Sequence, residues 1–188
     1  MSHFPTLETD RLLLRQLTLD DADALYRYFS LDEVTRFYDL ESFTERNQAV
    51  ELIETWNSSY ELGLGIRWGI SLKGNSETIG TIGYHCWEKE HFKSEIGYEL
   101  SPSHWRKGYM SEAIAAILPY GFEIMGLNRI EAMIDPANDD SRRLLEKAGL
   151  TEEGLLRDYY LEKGKFVDAV VFSLLKREYR MKYGEGAV

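Results

Sequence analysis

The stretch Glu95–Gly121 constrains the fold of this chain more than any other part of its sequence. It reads EIGYELSPSHWRKGYMSEAIAAILPYG and predicts a strand, a short loop, a Lys-Gly turn and a long helix. A strand that enters a helix through such a turn leaves backbone N–H groups unpaired at the positive end of the helix dipole. We therefore predict an anion site, most often one for phosphate, at the start of this helix. The pattern is neither a P-loop nor a dinucleotide fingerprint, so an ordinary nucleotide site is not expected.

The composition is that of one folded domain of an acidic protein. Its 188 residues suffice for a sizeable core, and we expect a single domain over residues 1–188. No apolar run of about 18 residues and no leader-like N-terminus occur, so we expect no membrane contact and a cytoplasmic location. A single cysteine, Cys86, excludes an internal disulfide. The net charge of −10 argues against general nucleic-acid binding and favours a basic partner.

Hydrophobic periodicity predicts the order β-α-α-β-β-β-α-β-α-β-β, an α/β (α+β) arrangement with helices on the faces of a mixed sheet. The predicted strands are Thr9–Leu17, Arg67–Lys73, Glu77–Glu88, Lys93–Ser101, Asn128–Asp135, Glu152–Glu162 and Phe166–Tyr179. The predicted helices cover residues 19–29, 44–62, roughly 108–126, and a short segment that ends at Gly149.

Two segments carry particular expectations. The long helix has an inward stripe that continues to Ile124, but Pro119 lies inside the helix and should kink or shorten it. The segment Asp32–Phe43 reads as irregular and contains Phe37, Tyr38 and Phe43. These aromatic residues either form the wall of a pocket or simply pack onto the core.

The strand Glu95–Leu100 places Glu95, Gly97 and Glu99 on one face. Carboxylates on a central strand must be paired, hydrated or used in chemistry. Beside an apolar ligand, desolvation would raise the pKa of such a carboxyl group, which suits a general base. The alternative is an edge strand whose glutamate face lies in solvent.

The helix in DPANDDSRRLLEKAGL begins with two candidate site residues. Ser141 shares the inward stripe with Leu144 and Leu145, and Asn138 lies one turn upstream on the same side. Both residues are either functional or ordinary helix caps. No metal site is predicted, because the four histidines are scattered, form no i, i+4 pair and have no cysteine partner.

Four segments resemble, in order, the motifs of the GNAT superfamily of acetyl-CoA-dependent N-acetyltransferases, in particular its RimJ/RimL branch. That branch acetylates N-terminal amines of ribosomal proteins. The segments are ETDRLLLRQLTLDDADALY, SEIGYELSPSHWRKGYMSEA, NRIEAMIDPANDDSRRLLEKAGL and GKFVDAVVFSLLKREY. The resemblance covers nearly the whole chain. It implies a mixed, mostly antiparallel sheet of about seven strands flanked by about four helices, and it is compatible with a homodimer through the closing strands.

The resemblance also implies how acetyl-CoA binds. In the family, the cofactor lies in a V-shaped opening between the fourth and fifth strands, and backbone groups of the fourth strand hold the pantetheine. The implied pantetheine residues are Tyr98, Glu99, Leu100 and Ser101, with Asn138 and Ser141 nearby. The family's pyrophosphate loop, Q/R-x-x-G-x-G/A, falls on residues 105–110, and its implied cradle is Arg106, Lys107, Gly108, Tyr109, Met110 and Ser111. Trp105, Arg106 and Met110 depart from the pattern.

For catalysis, the resemblance implies Glu95 as the general base and Ser141 beside the departing thiolate. Leu145 stands where many members have a tyrosine acid, so that tyrosine mechanism is excluded at this position. The expected reaction is direct acetyl transfer in a ternary complex to a primary amine. The expected amine is the N-terminal α-amine of a protein or peptide, and the acidic net charge favours a basic one. The alternatives are a small-molecule amine (a polyamine, antibiotic or amino acid) and a CoA-binding sensor without turnover. No metal is expected to take part.

Overall fold

The structure, a computed structural model, describes residues 4–184, and these form eight strands and six α-helices. The strands are β1 (Leu7–Glu8), β2 (Leu12–Gln16), β3 (Ile66–Leu72), β4 (Thr78–Glu88), β5 (Lys93–Leu100), β6 (Arg129–Ile134), β7 (Thr151–Glu162) and β8 (Lys165–Leu175). The helices are α1 (Ala22–Phe29), α2 (Asp32–Thr35), α3 (Arg46–Glu61), α4 (Tyr109–Pro119), α5 (Asp139–Ala148) and α6 (Lys176–Tyr183).

All eight strands belong to one sheet in the order β1-β2-β3-β4-β5-β6-β8-β7. Every neighbouring pair is antiparallel except β5 and β6, which are parallel. The predicted mixed, mostly antiparallel sheet with flanking helices is therefore confirmed. The counts differ slightly, because the short elements β1, α2 and α6 lack a sequence pattern long enough to be recognised. The family's fourth and fifth strands correspond to β5 and β6.

The predicted final strand, Phe166–Tyr179, is wrong in its last part. The strand ends at Leu175, and α6 follows directly. The Glu178 carboxylate accepts a hydrogen bond of 3.0 Å from the Leu175 backbone N–H, which is a helix-capping interaction. The charged run KREYRMK has no two-residue alternation of apolar side chains to favour a strand.

Helices cover the sheet on both faces. On one face, Ile114 and Ile117 of α4 pack with Ile82, Tyr84 and other apolar residues of the central strands in the larger buried cluster. On the other face, α1 and α3 form a second cluster around Phe29. Because both faces are covered, side chains of the central strands are enclosed whichever way they point.

Pro119 changes the helix geometry where the sequence predicts a kink. The α-helix ends at Pro119 and continues as a π-helical turn over Tyr120–Ile124. Proline cannot donate the next helical hydrogen bond, and the wider turn accommodates that loss. The turn also shifts the register of the inward stripe, so Phe122 is buried and Ile124 is 64% exposed. The prediction that Ile124 faces inward is therefore wrong.

Within residues 4–184, no helix combines the length and the apolar character needed to cross a membrane.

Gly121 provides a test of how tightly the π-helical turn packs on the sheet. A Cβ at this position would lie 2.6 Å from the Tyr84 hydroxyl oxygen and 3.0 Å from Ile130 Cδ1. We expect Gly121→Ala to lower the free energy of unfolding by about 1–3 kcal/mol through overpacking. Urea unfolding followed by circular dichroism measures the change.

The double variant Gly121→Ala/Tyr84→Phe is the control, because it removes the hydroxyl oxygen that the new methyl group would meet first, although the ring carbon Cζ remains 2.8 Å away. Its cost should be smaller than the sum of the two single costs if the hydroxyl is the main obstacle. An unchanged stability for Gly121→Ala would contradict close packing of the turn on the sheet.

Candidate functional site

The site begins where β5 and β6 separate. Their parallel pairing covers only Lys93–Arg129, Ser94–Ile130 and Glu95–Glu131. Beyond Glu95, the described part of β5 pairs only with β4, as far as Leu100. The edge of β5 that faces β6 therefore carries free backbone donors and acceptors, as an unpaired strand edge does.

A cavity of about 1220 Å³ occupies this gap and extends through the sheet. It is lined on the α4 side by Tyr98, Asn138 and Ser141, and on the α1 side by Arg67 and Glu95. Neighbouring residues of a strand point to opposite faces, so Glu95 and Tyr98 lie on different sides of β5. The gap thus joins two half-sites: one with the neutral polar side chains of Tyr98, Asn138 and Ser141, and one with the charged side chains of Arg67 and Glu95.

The loop before α4 forms one end of the cavity. Gly108 has a left-handed φ of 80° and caps the helix with its backbone, and Arg106 also has a positive φ of 59°. Among the hydrogen bonds of residues 4–184, none has a backbone N–H of residues 106–111 as its donor. These groups lie at the positive end of α4 and are available to an anion, and the anion site itself stays a prediction.

Trp105, which departs from the family pattern, fixes the start of this loop. Its indole Nε1–H donates to the Leu100 carbonyl at 2.6 Å. The loop therefore turns back onto the end of β5 through a side chain that the family pattern does not require.

Residues near the N-terminus hold the first turn of α4. The Arg11 guanidinium donates from Nη1 to the Lys107 carbonyl at 3.1 Å and from Nε to Glu112 Oε2 at 2.6 Å. It also stacks on the Tyr109 ring, 4.6 Å from the centroid. The Thr9 hydroxyl donates to the other Glu112 oxygen at 2.5 Å. Burial raises the pKa of Glu112, but these hydrogen bonds outweigh it and the net pKa is lowered.

Cationic side chains surround this end of the cavity. Arg106, Arg143 and Lys147 line it, together with His104. Lys107 and Ser101 do not appear among the described lining residues. The Lys107 ammonium instead donates to the Ser103 carbonyl at 2.8 Å. Positive charge beside free N–H groups favours an anionic ligand at this end.

Ser141 and Tyr98 form a hydroxyl pair within the opening. Their oxygens are 2.6 Å apart, and Ser141 is buried. Burial raises the pKa of Tyr98 to about 12, with the Ser141 hydrogen bond acting in the opposite direction, so the phenol is neutral at physiological pH. The Asn138 side chain accepts from the Ser141 N–H at 3.1 Å. Asn138 is thus a helix cap, and it also lines the cavity.

Glu99 is buried in a polar network on the opposite face of β5. Its carboxylate forms an ion pair with Arg67 and accepts hydrogen bonds from Thr81 and, at 3.2 Å, from Tyr28. Burial lowers the pKa of Arg67, but the Glu99 charge and the neighbouring tyrosines raise it more, so the guanidinium stays charged. This glutamate is satisfied by protein partners, which leaves it no free role as a base.

Glu95 has a different environment on the same face. Its side chain is 18% exposed, lines the cavity, and lies 3.6 Å from His85 (Oε2 to Nε2). It has no buried guanidinium partner among the described residues. Of the two glutamates on this face, Glu95 is therefore the one available to a ligand.

The aromatic segment before α3 is divided between the two expected roles. Phe37 lines the cavity, and Phe43 stacks on Phe29 in the second cluster with ring centroids 5.0 Å apart. Tyr38 does both, since it lines the cavity and packs edge-on against Phe29. Both interpretations of this segment are therefore correct.

The structure brings most of the candidate site residues to one cavity. Those that line it are Glu95, Tyr98, Glu99, Leu100, Arg106, Gly108, Tyr109, Met110, Ser111, Asn138 and Ser141. Sequence reasoning missed Arg11 and Arg67. Both act across long sequence separations, and no local pattern distinguishes them from other arginines. Gly97 alone hints at its position, because the lack of a side chain there leaves room for the Arg67 guanidinium.

The ion pair between Arg67 and Glu99 should matter for stability. Glu99→Gln leaves a buried guanidinium without a counter-charge, and we expect a loss of about 3–5 kcal/mol in unfolding free energy. Glu77→Gln is the matched control, because it removes a carboxylate from the exposed pair with Arg27 and should cost less than about 1 kcal/mol. Urea unfolding of both variants measures the difference, and equal losses would contradict the buried pairing.

Comparison with known proteins identifies this architecture. Residues 11–151 match the family described as acetyltransferase (GNAT) domain. The uncharacterized N-acetyltransferase YoaA of Bacillus subtilis (strain 168) is 47% identical over 173 residues, which cover 92% of this chain and 98% of YoaA.

Solved structures agree in fold. The crystal structure of a GNAT-family acetyltransferase from Bacillus anthracis has a TM-score of 0.83 and 29% identity, covering 93% of this chain and 100% of that one. RimL, a ribosomal L7/L12 alpha-N-protein acetyltransferase solved with coenzyme A, has a TM-score of 0.82 over 91% of this chain and 98% of its own. RimL and this chain are 16% identical, so the similarity shows that they share a fold and nothing further. The matched family and the YoaA similarity establish that this chain belongs to the GNAT family of N-acetyltransferases.

Proposed function

We propose that this protein transfers the acetyl group of acetyl-CoA to a primary amine, and that its natural acceptor is the N-terminal α-amine of a protein or peptide. The observation that carries the proposal is the gap between β5 and β6, with an N–H-rich helix start at one end and Glu95 at the other. RimL, which shares this fold, was solved with coenzyme A.

In the proposed complex, the pyrophosphate of CoA accepts hydrogen bonds from the backbone N–H groups of residues 106–111. The pantetheine lies along β5 at residues 98–101 and passes Asn138. The Leu100 carbonyl and the Ser101 N–H already have partners in Trp105 and Ile79, so the pantetheine pairs with the remaining backbone groups of this stretch. Peptide-like pantetheine suits this stretch because its amide groups can pair with strand backbone in the manner of an added strand. The thioester then reaches the point where the two half-sites meet.

The proposed reaction is a direct attack. The amine nitrogen bonds to the acetyl carbon, the carbon–sulfur bond breaks, and CoA leaves as a thiolate. Glu95 takes the proton released by the amine, directly or through a water molecule. Backbone N–H groups of β5 stabilise the developing negative charge on the carbonyl oxygen.

Ser141 is placed to protonate or hydrogen-bond the leaving thiolate. When the Tyr98 phenol donates to Ser141, the Ser141 proton is free to point at the sulfur. A thiol with a pKa of about 8.5 needs little help to leave, so Ser141 should contribute less than Glu95.

Two properties support an α-amine on a basic chain as the acceptor. At pH 7.5, an α-amine with a pKa of about 7.8 is roughly one-third neutral, whereas a lysine is about 0.1% neutral. The side of the cavity that contains Glu95, where the acceptor amine would enter, is called the acceptor side. The cavity lining also includes the carboxylates of Glu33, Asp39 and Glu162. Burial, followed by the charges of Asp39 and Asp135, raises the pKa of Glu162, and a cationic substrate would relieve this repulsion.

We also propose a cellular location and an oligomeric state for the enzyme. A single cysteine is typical of proteins in reducing compartments and supports a cytoplasmic enzyme. A homodimer through β7 and β8 stays a prediction from the family resemblance.

The proposal is tested by CoA release with a panel of acceptors: a basic peptide with a free N-terminus, the same peptide with an acetylated N-terminus, a polyamine and an aminoglycoside. We expect turnover with the free peptide, and mass spectrometry should place the acetyl group on its α-amine. Glu95→Gln should lower kcat by about 10²- to 10⁴-fold because the proton acceptor is lost.

Ser141→Ala should have the smaller effect, and Glu90→Gln, an exposed glutamate outside the cavity lining, is the control for loss of a carboxylate. Full activity of Glu95→Gln would remove Glu95 as the base. Turnover only with the polyamine or aminoglycoside would replace the peptide by a small-molecule acceptor. CoA binding without CoA release from any acceptor would favour a sensor.

A further inference from the structure

Three potential metal ligands converge on the acceptor side of the cavity. One ligand atom from each of His85, Cys86 and Glu95 lies within 4.8 Å of the other two. All three residues line the cavity. We call these residues the His-Cys-Glu triad.

An irregular backbone creates this convergence. In a regular strand, His85 and Cys86 would point to opposite faces of the sheet. Cys86 instead has a left-handed φ of 48°, and the pairing of β4 with β5 shifts register between His85 and Glu88. His85 lies directly opposite Glu95 in the regular pairing, so the bulge needs to redirect only the Cys86 side chain toward Glu95. A left-handed conformation is costly for a residue other than glycine, and such conformations cluster at functional sites.

The ligand chemistry of the triad is specific. An imidazole nitrogen, a thiolate and a carboxylate suit a borderline divalent ion such as Zn²⁺. Tetrahedral zinc with bonds of about 2.0–2.3 Å separates its ligand atoms by about 3.4 Å. His85 Nε2 and Glu95 Oε2 are already 3.6 Å apart. The Cys86 Sγ lies within 4.8 Å of both atoms, so metal binding requires the thiol to move closer.

The surrounding charges are compatible with a cation. Glu88 adds negative charge near Cys86, and the Lys93 ammonium is held by Glu88 at 3.0 Å and by Glu131 at 3.5 Å. The Arg67 guanidinium, which approaches the His85 ring above Gly97, is neutralised by Glu99. A positive ion at the triad would therefore meet no unpaired arginine or lysine among these neighbours.

We propose that the His-Cys-Glu triad binds one zinc-like divalent ion, with a fourth coordination position open to the cavity. One consequence rests on the proposed function. The ion would occupy the Glu95 carboxylate and lie in the path of the acceptor amine. Zinc would then inhibit acetyl transfer reversibly while leaving the loop before α4 free to bind CoA.

Cobalt(II) titration of the full-length protein tests binding without any reference to activity. We expect one equivalent of Co²⁺ to produce thiolate-to-cobalt charge-transfer absorption and intense tetrahedral d–d bands, which Zn²⁺ should displace. Cys86→Ser should abolish the charge-transfer absorption, and His85→Gln should weaken cobalt binding at least tenfold. His91→Gln, which changes an exposed histidine outside the triad, should match the wild type.

Absence of the charge-transfer absorption at saturating Co²⁺, or its persistence in Cys86→Ser, would overturn the site. Inhibition is measured separately, with each variant compared with its own rate before zinc is added. Zinc should inhibit the wild type, a chelator should restore the rate, and Cys86→Ser should need at least tenfold more zinc. If the expected cobalt spectrum appears but zinc does not inhibit, only the competition between zinc and the amine is overturned. Metal binding is also independent of the proposed function, because a protein without acetyltransferase activity would still show the cobalt spectrum.

Discussion

Backbone groups that β5 and β6 leave unpaired in the middle of the sheet are the constraint on which the rest of the site depends. Peptide N–H and C=O groups removed from bulk water need partners. Pairing between the two strands stops after Glu95 and Glu131, although both strands continue beside their other neighbours. A ligand with peptide-like groups is the natural partner for such an edge. The loop before α4 then determines that the same ligand carries an anionic group.

The gap also divides the chemistry between the two faces of the sheet. Tyr98 and Ser141 lie toward α5, whereas Glu95 and Glu99 lie on the face covered by α1 and α3. Strand alternation makes this division unavoidable once the register is set. On the second face, Arg67 satisfies Glu99, so two glutamates of similar appearance in the sequence have different environments. Glu99 is structural, and Glu95 faces the cavity.

Much of this arrangement is predictable from the sequence, because the relevant signals are local. The strand–turn–helix pattern around Gly108 predicts the helix start, and the alternation in EIGYEL predicts which side chains share a face. Other features depend on contacts between distant residues. The Arg11 contacts with Lys107 and Glu112 span about one hundred positions, and no local pattern indicates them. The shift of Ile124 to the surface follows from a π-helical turn, which ordinary helical periodicity does not describe.

The His-Cys-Glu triad is a further feature that local sequence patterns do not predict. Strand alternation would place the adjacent residues His85 and Cys86 on opposite faces, and only the left-handed backbone at Cys86 brings them together. The sequence-based expectation of no metal site rests on histidine spacing and on the lack of a cysteine partner, and the second premise is wrong because Cys86 lies beside His85 and Glu95. The irregular backbone at Cys86 thus determines which side chains meet at this site, and the residue pattern does not predict that irregularity.

The proposed binding mode has residues 106–111 on the pyrophosphate of CoA and residues 98–101 on its pantetheine. Amide hydrogen exchange with and without ligand distinguishes the two contacts. CoA should slow exchange in both segments, and pantetheine alone should slow it only in residues 98–101. Unchanged exchange in residues 106–111 at saturating CoA, or equal protection of that loop by pantetheine, would contradict this binding mode.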